Sequence, residues 1–284
     1  MKSVLSLIAI AFAVQCSNSS DAPLLWPLDG SIASTGSSIS CLAKPWPFTT
    51  NAYLADTVTE APGQNHYQFG NPLCATNGIY GAGTGSGSTD VYSLNSSPSS
   101  IKCIVNEKCI VLEWKDNKVK NEAGVDFVVF ENPFNRTVSA RFIEAVIVEV
   151  SEDGVDWCGW NPTYMGEKNN AMPNFLTDIY NPANYERLAG IEPVLFNQSN
   201  WPYSAADIFV QSKAGGDHFD LGDVEFGSGC SGAKKSMIQT NGFVYLRLTT
   251  ANSRDAVNFP LPNDSFDGTA DIDGVIAKNI APRL

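Results

Sequence analysis

Residues Phe243 to Thr249 (FVYLRLT) alternate with a period of two. Phe243, Tyr245, Arg247 and Thr249 fall on one side, and Val244, Leu246 and Leu248 on the other. Neighbours on one helix face lie three or four residues apart, so this period suits a half-buried β-strand and no helix. The same signal recurs in short pieces at Val91 to Asn95, at CIVLEW (109–114) and from Phe142 to Val150. DFVVFE (126–131) is continuous rather than alternating, as expected of a strand buried on both faces. Ser151-Glu-Asp-Gly154 reads as a turn, after which Val155-Asp-Trp157 restarts a strand, and Val275-Ile-Ala is the last. No stretch sustains a helical apolar stripe. Many short strands joined by turn chemistry predict an all-β sandwich.

The chain has 284 residues, 43% hydrophobic and 17% charged, enough apolar material for one large sandwich with extensions. Residues 16–60, rich in Ser, Pro and Ala, read as a tether and irregular lead-in, with a single domain over 61–284. The stretch from about 161 to 210 scatters Asn, Pro and aromatics and reads as a long loop insertion. GAGTGSGS (81–88) is a flexible loop. It lacks the Lys-Ser/Thr and the opening helix of a phosphate cradle.

The first 15 residues carry the pattern of an export signal: Lys2, then an apolar run from Val4 to Val14 that is too short to span a bilayer. Cys16 follows and opens a polar tether, the layout of a lipid-anchored envelope protein with Cys16 as the lipidated residue. Gln15 fits a strict lipobox poorly. Cleavage after Ala11-Phe12-Ala13, giving a soluble secreted chain, is the alternative. Cys16 set aside, six cysteines remain (Cys41, Cys74, Cys103, Cys109, Cys158, Cys230), an even number that in an oxidising compartment suggests up to three disulfides. Cys103 and Cys109 bracket a short segment and could close a hairpin. A zinc site is not indicated, because no CxxC pair exists and the sequence holds two histidines. The net charge of −12 argues against nucleic acid and against electrostatic attachment to anionic lipid, and leaves divalent cations and neutral ligands as natural partners.

Six phrases taken in order are DFVVFENPF (126–134), EAVIVEVSEDGVDW (144–157), LAGIEPV (188–194), GGDHFDLGDV (215–224), FVYLRLT (243–249) and DIDGV (271–275). Together they resemble a family of bacterial cell-surface proteins found as lipoproteins in Leptospira-type spirochaetes. The resemblance covers about residues 70 to 284 and implies a jelly-roll domain of the galactose-binding or discoidin type at the cell surface. It implies no established molecular function. The extra cysteines and the Asp-rich C-terminal stretch depart from the pattern.

Acidic clusters are the first candidate site. Asp217, Asp220 and Asp223 crowd one glycine-led loop, and three close carboxylates repel unless solvated, hydrogen-bonded or bridged by a cation. Gly215 and Gly216 permit the dihedrals of a loop that wraps an ion, and calcium accepts six to eight oxygens. A second cluster holds Asp264, Asp267, Asp271 and Asp273 but lacks the closing Glu of an EF-hand. Glu131, at a strand end, completes the expected calcium set of Asp217, Asp220, Asp223, Asp271, Asp273 and Glu131. The competing reading is that these acids cap turns. Trp160, Tyr164 and Trp201, in an aromatic-rich stretch, are the candidate ligand-binding residues for carbohydrate or an extracellular protein, unless they pack the insertion onto the sandwich. No nucleophile elbow or HExxH occurs, so no catalytic residue is assigned. Three readings follow. The first is a calcium-stabilised surface lipoprotein binding carbohydrate or a host or matrix protein. The second is a structural envelope protein without a specific ligand, and the third a glycoside hydrolase.

Overall fold

The computed structural model describes residues 40–42, 45–64, 68–96, 103–104, 106–169, 175–261 and 269–283. The expected signal segment, the lipidation candidate Cys16, and Asp264 and Asp267 lie outside the described residues. Ten strands build two antiparallel sheets. They are β1 (Tyr53–Leu54), β2 (Thr57–Glu60), β3 (Cys109–Glu113), β4 (Phe127–Phe130), β5 (Val146–Ser151), β6 (Cys158–Trp160), β7 (Asp217–Phe219), β8 (Phe226–Ser228), β9 (Tyr245–Thr250) and β10 (Gly274–Ala277). One sheet runs β1-β10-β4-β7, the other β8-β6-β5-β9-β3-β2. Four further two-stranded pairings decorate them.

The hydrophobic pattern explains the layering. In β4, Phe127 and Val129 point into the space between the sheets, while Val128 and Phe130 join a separate cluster on the outer side. Both faces are covered, which is why FVVF reads as a continuous run. In β9, Leu246 and Leu248 enter the central core, and Arg247 lies on the other side, 2.8 Å from Glu149 and stacked over Trp157. Phe243 breaks the alternation and lies in the central core. The chain turns just before it at Gly242 (φ +87°), where a Cβ would stand 2.1 Å from the Val119 carbonyl oxygen.

The 161–210 stretch is an insertion, but a folded one. Residues 163–164 pair with 185–186. Tyr164, Ile179, Tyr185 and Leu188 pack with Phe142 and Ile147 on the outer side of the six-stranded sheet. Val194, Phe196 and Ile208 cover Val128, Phe130 and Ile276 on the outer side of the other sheet. The lead-in also differs from expectation: β1 and β2 are sheet strands, so the sandwich begins before residue 61. Both are too short, at two and four residues, to leave a periodic signature. A ten-residue helix, α1 (Gly232–Asn241), was hidden for a related reason. It buries Ile238 alone and is specified by its cap, Ser231, whose hydroxyl accepts the Lys234 N–H.

Three disulfides, Cys41–Cys74, Cys103–Cys109 and Cys158–Cys230, pair all six cysteines that follow Cys16. Among the described residues no helix is long and apolar enough to cross a membrane.

Candidate functional site

The acids expected to hold calcium separate into three places. The first is a corner where β4 ends. Glu131 is 1% exposed there; its Oε1 accepts the Asp271 N–H at 2.9 Å, and its Oε2 has no hydrogen-bond partner. That oxygen looks onto Gly190 (φ +81°), where a Cβ would come within 3.1 Å of it and 2.5 Å of the Glu144 carbonyl oxygen, so only glycine lets the chain pass. Asp217, which opens β7, accepts the backbone N–H groups of Ile191 (3.0 Å) and Glu192 (3.3 Å). Asp271 accepts a hydrogen bond from the Ser93 hydroxyl. Arg141 faces the corner's edge, paired with Glu192 at 3.0 Å. Burial pushes Asp217 up to about 7, and holds Glu131 well above the carboxylate range, with Asp271 and Asp217 as its charged neighbours.

Asp273 stands apart from this corner. It is fully buried, both oxygens accept the Tyr80 N–H at 3.1 Å, and its charged neighbour is Asp90. Asp220 and Asp223 do what Asp commonly does in turns: they accept the N–H groups of Gly222 (2.6 Å) and Glu225 (2.9 Å). The glycines of that loop serve packing rather than ion wrapping. A Cβ on Gly215 would lie 1.8 Å from the Pro193 carbonyl oxygen, and one on Gly216 would strike the Phe130 ring at 2.7 Å. Among the described residues, the only three metal-ligating side chains whose ligand atoms converge within 4.8 Å are Cys41, Cys74 and Asp90. Cys41 and Cys74 are joined in a disulfide and offer no thiolate. Of the six acids, the structure brings Glu131, Asp217 and Asp271 to one corner and places Asp220, Asp223 and Asp273 elsewhere.

Two of the three expected ligand-binding aromatics are core residues. Trp160 is 3% exposed, in contact with Phe219 and Phe226 at 4.9 Å, and its indole N–H donates to the Asp220 carbonyl. Tyr164 is 4% exposed, packs on Tyr185 and donates its hydroxyl to the Glu167 carbonyl. Neither can offer a face to a sugar, because Trp160 is consumed by the central core and Tyr164 by the cluster that seats the insertion. Trp201 is half-buried against Phe196 at 4.8 Å and carries the exposed Tyr203 on its other side at 5.0 Å.

An aromatic groove that sequence reasoning missed lies elsewhere. β1 is the edge of one sheet, β2 the edge of the other, and Ala55-Asp56 link them. Along this side of the sandwich runs an open groove of about 640 Å³. Its apolar lining comprises Pro45, Trp46, Tyr53, Leu54 and Ile280, with Trp114, itself 1% exposed, belonging to the core beneath. The indole N–H groups are spent internally, Trp46 on the Ala52 carbonyl (3.0 Å) and Trp114 on the Tyr53 carbonyl (2.7 Å), which fixes both rings. Asp56, Asn77 and Asn117 supply the polar lining. Asn77 donates to the Leu42 carbonyl and to Asp90, and Asn117 donates to the Lys115 carbonyl. The Asn77 Oδ1 is buried with no partner. These residues come from positions 45–46, 53–56, 77, 114–117 and 280, so no local motif announces them. Searches against protein-family models, curated proteins and solved structures return no match for this chain.

Proposed function

We propose that this protein is an exported, lipid-anchored envelope protein of jelly-roll type that binds a carbohydrate or an extracellular protein in the groove beside β1. The groove carries the reading. It joins rigidly held aromatic rings to a few polar groups, the composition of sites that recognise ligands rather than merely close a core. The three disulfides support an oxidising compartment outside the cytoplasm. Hydrolysis of a glycan has less support: among the described lining residues Asp56 is the one carboxylate, and that chemistry needs an opposed pair. Full-length protein displayed against a glycan array and a panel of matrix proteins should retain at least one ligand. Tyr53→Arg, at the groove wall, should reduce that binding more than tenfold. Equal binding by both proteins to every ligand would remove the groove from the function.

A second reading is a structural envelope protein hardened by calcium, and one observation favours it: the unpartnered Glu131 Oε2 in the acidic corner. An ion there would draw on backbone carbonyls and water besides carboxylate, which calcium tolerates. On this reading millimolar calcium raises the melting temperature by a few degrees over chelator, and Glu131→Gln removes the response. Coincident melting curves with calcium and with chelator would dismiss it.

A further inference from the structure

We infer that the groove docks an extended segment of a partner polypeptide, which adds to the free edge of β1 through its main chain and fills the groove with its side chains. The inference rests on the reading of the groove as a ligand site and names the kind of partner. The main chain of β1 carries it. Leu54 belongs to the groove's lining, and the residue after it, Ala55, turns its N–H inward to the Val275 carbonyl at 2.9 Å. Main-chain groups alternate sides along a strand, so the N–H and C=O of Leu54 face outward, away from β10. β1 is the last strand of its sheet, and among the described residues nothing pairs with these two groups on that side. A donor and an acceptor open on a strand edge are answered by a second extended chain, residue against residue. A helix cannot answer them, because its own N–H and C=O groups are spent internally.

The side chains of the lining agree. Some of their groups are already engaged: the Thr76 hydroxyl donates to the Leu73 carbonyl, and the Asn77 amide donates to the Leu42 carbonyl and to Asp90. Those left over are of both kinds. The Tyr53 hydroxyl has no partner among the described residues, and the Asn117 amide gives one N–H to the Lys115 carbonyl and keeps a second. Asp56 takes the Lys115 N–H and the Thr57 hydroxyl on Oδ1 and keeps Oδ2. A peptide, with a donor and an acceptor in nearly every residue, meets such a mixed set. Leu42 and Leu73, whose carbonyls bind Asn77 and Thr76 at the rim, are both exposed and widen the apolar strip of Pro45, Trp46, Tyr53 and Ile280. Exposed leucines beside an open groove suit the side chains of a protein partner. Charge sets the sign of that partner. Asp56 is exposed, and among the described residues no cation pairs with it. With −12 on the chain overall, a Lys or Arg on the docked segment complements it.

An array of synthetic decapeptides, alternating apolar and polar residues and carrying Lys, Glu or neither at varied positions, tests this when probed with the full-length chain. Lys-containing peptides should be retained and their Glu counterparts should not. Isothermal titration then follows the tightest peptide. Methylating its amide nitrogens one at a time removes main-chain donors, and methylation of the residue opposite Leu54 should weaken binding about tenfold, the loss of one hydrogen bond. Asp56→Asn keeps the acceptor for the Lys115 N–H. It should weaken the Lys-containing peptide about tenfold and bring it level with the same peptide carrying Ala for Lys. An unchanged melting curve shows that this variant folds. Affinity that survives methylation at every position would overturn the pairing with β1. Peptide bound equally by wild type, Asp56→Asn and Tyr53→Arg would put the binding elsewhere and overturn the inference. A glycan bound in place of every peptide, and lost in Tyr53→Arg, would keep the groove as the ligand site and overturn the polypeptide. Absence of any peptide, glycan or matrix protein from the chain would overturn the inference and the proposed function together.

Discussion

Between pH 5 and pH 8 in the presence of chelator, the wild-type protein should lose roughly 2–3 kcal/mol of stability relative to Asp217→Asn. Asp217 is 7% exposed, and burial raises its pKa from 3.8 to about 7. In the unfolded chain the proton leaves near pH 3.8, while the native protein keeps it to about pH 7. Across that window the unfolded state binds fewer protons, so raising the pH favours unfolding. The contribution of Asp217 is complete below about pH 4 and declines by about 1.4 kcal/mol for each pH unit up to 7. In a domain of this size the change corresponds to a fall of roughly 5–10 °C in melting temperature. Asp126, raised by burial to about 6, and Glu131 and Asp273, raised well above the ordinary range by burial, act in the same direction in both proteins. His218 acts oppositely: burial lowers its pKa, so stability is lost as pH falls through its unfolded value near 6.5. It is common to both proteins and cancels in the comparison. Asp153, Asp207 and Asp255, whose pKa values are lowered by hydrogen bonds from Lys234, Lys213 and Asn258, titrate below the window. Parallel stability curves for wild type and Asp217→Asn would show that the Asp217 carboxylate is ionised throughout.

Removing the Cys158–Cys230 bridge by double substitution to Ala should cost about 4 kcal/mol in urea unfolding, the loop-closure value for a separation of 72 residues. The bridge ties the start of β6 to the loop between β8 and α1, beside the β6–β8 edge of the six-stranded sheet. Cys158 is itself buried in the central core. The Cys103–Cys109 bridge spans only six residues, and its loss should cost about 2 kcal/mol on the same account. The ordering of the two is the discriminating result. A Cys158/Cys230 variant that unfolds at the wild-type urea midpoint would mean that the sheet edge holds without its covalent tie, and would weaken the case for an oxidising compartment.

Much of the frame was legible in the chain, for reasons visible at single residues. FVVF in β4 is apolar at every position because it is covered on both faces, and Leu246 and Leu248 mark the core side of β9 because β-strands alternate. The even cysteine count carried the disulfides. The site was less legible because it is built from long-range neighbours. Asp217 and Asp220 look alike in GGDHFDLGD, yet one receives N–H groups from the 190–192 loop and the other caps its own turn. Only the path of a distant segment distinguishes them. The aromatics from 157 to 203 drew attention by their density, and density here reports packing: Trp160 in the central core, Tyr164, Tyr180 and Tyr185 in a second cluster and Trp201 against a third. The groove residues Trp46 and Tyr53 stand alone in sequence, and Trp114 closes the CIVLEW strand with nothing in the sequence to bring the three together.

The order β1-β10-β4-β7 also has a kinetic meaning. Among the described residues β10 is the strand partner of β1 and a neighbour of β4, pairing residues 274–277 with residues 53–54 and 127–130. Such pairings close very large loops and belong to slow, high-contact-order folding. Synthesis delivers β10 after the other nine strands, so a growing chain cannot complete this sheet however long it waits. Until residues 274–277 have emerged, β1 and β4 have no strand to join them and the four-stranded sheet stays open at its middle.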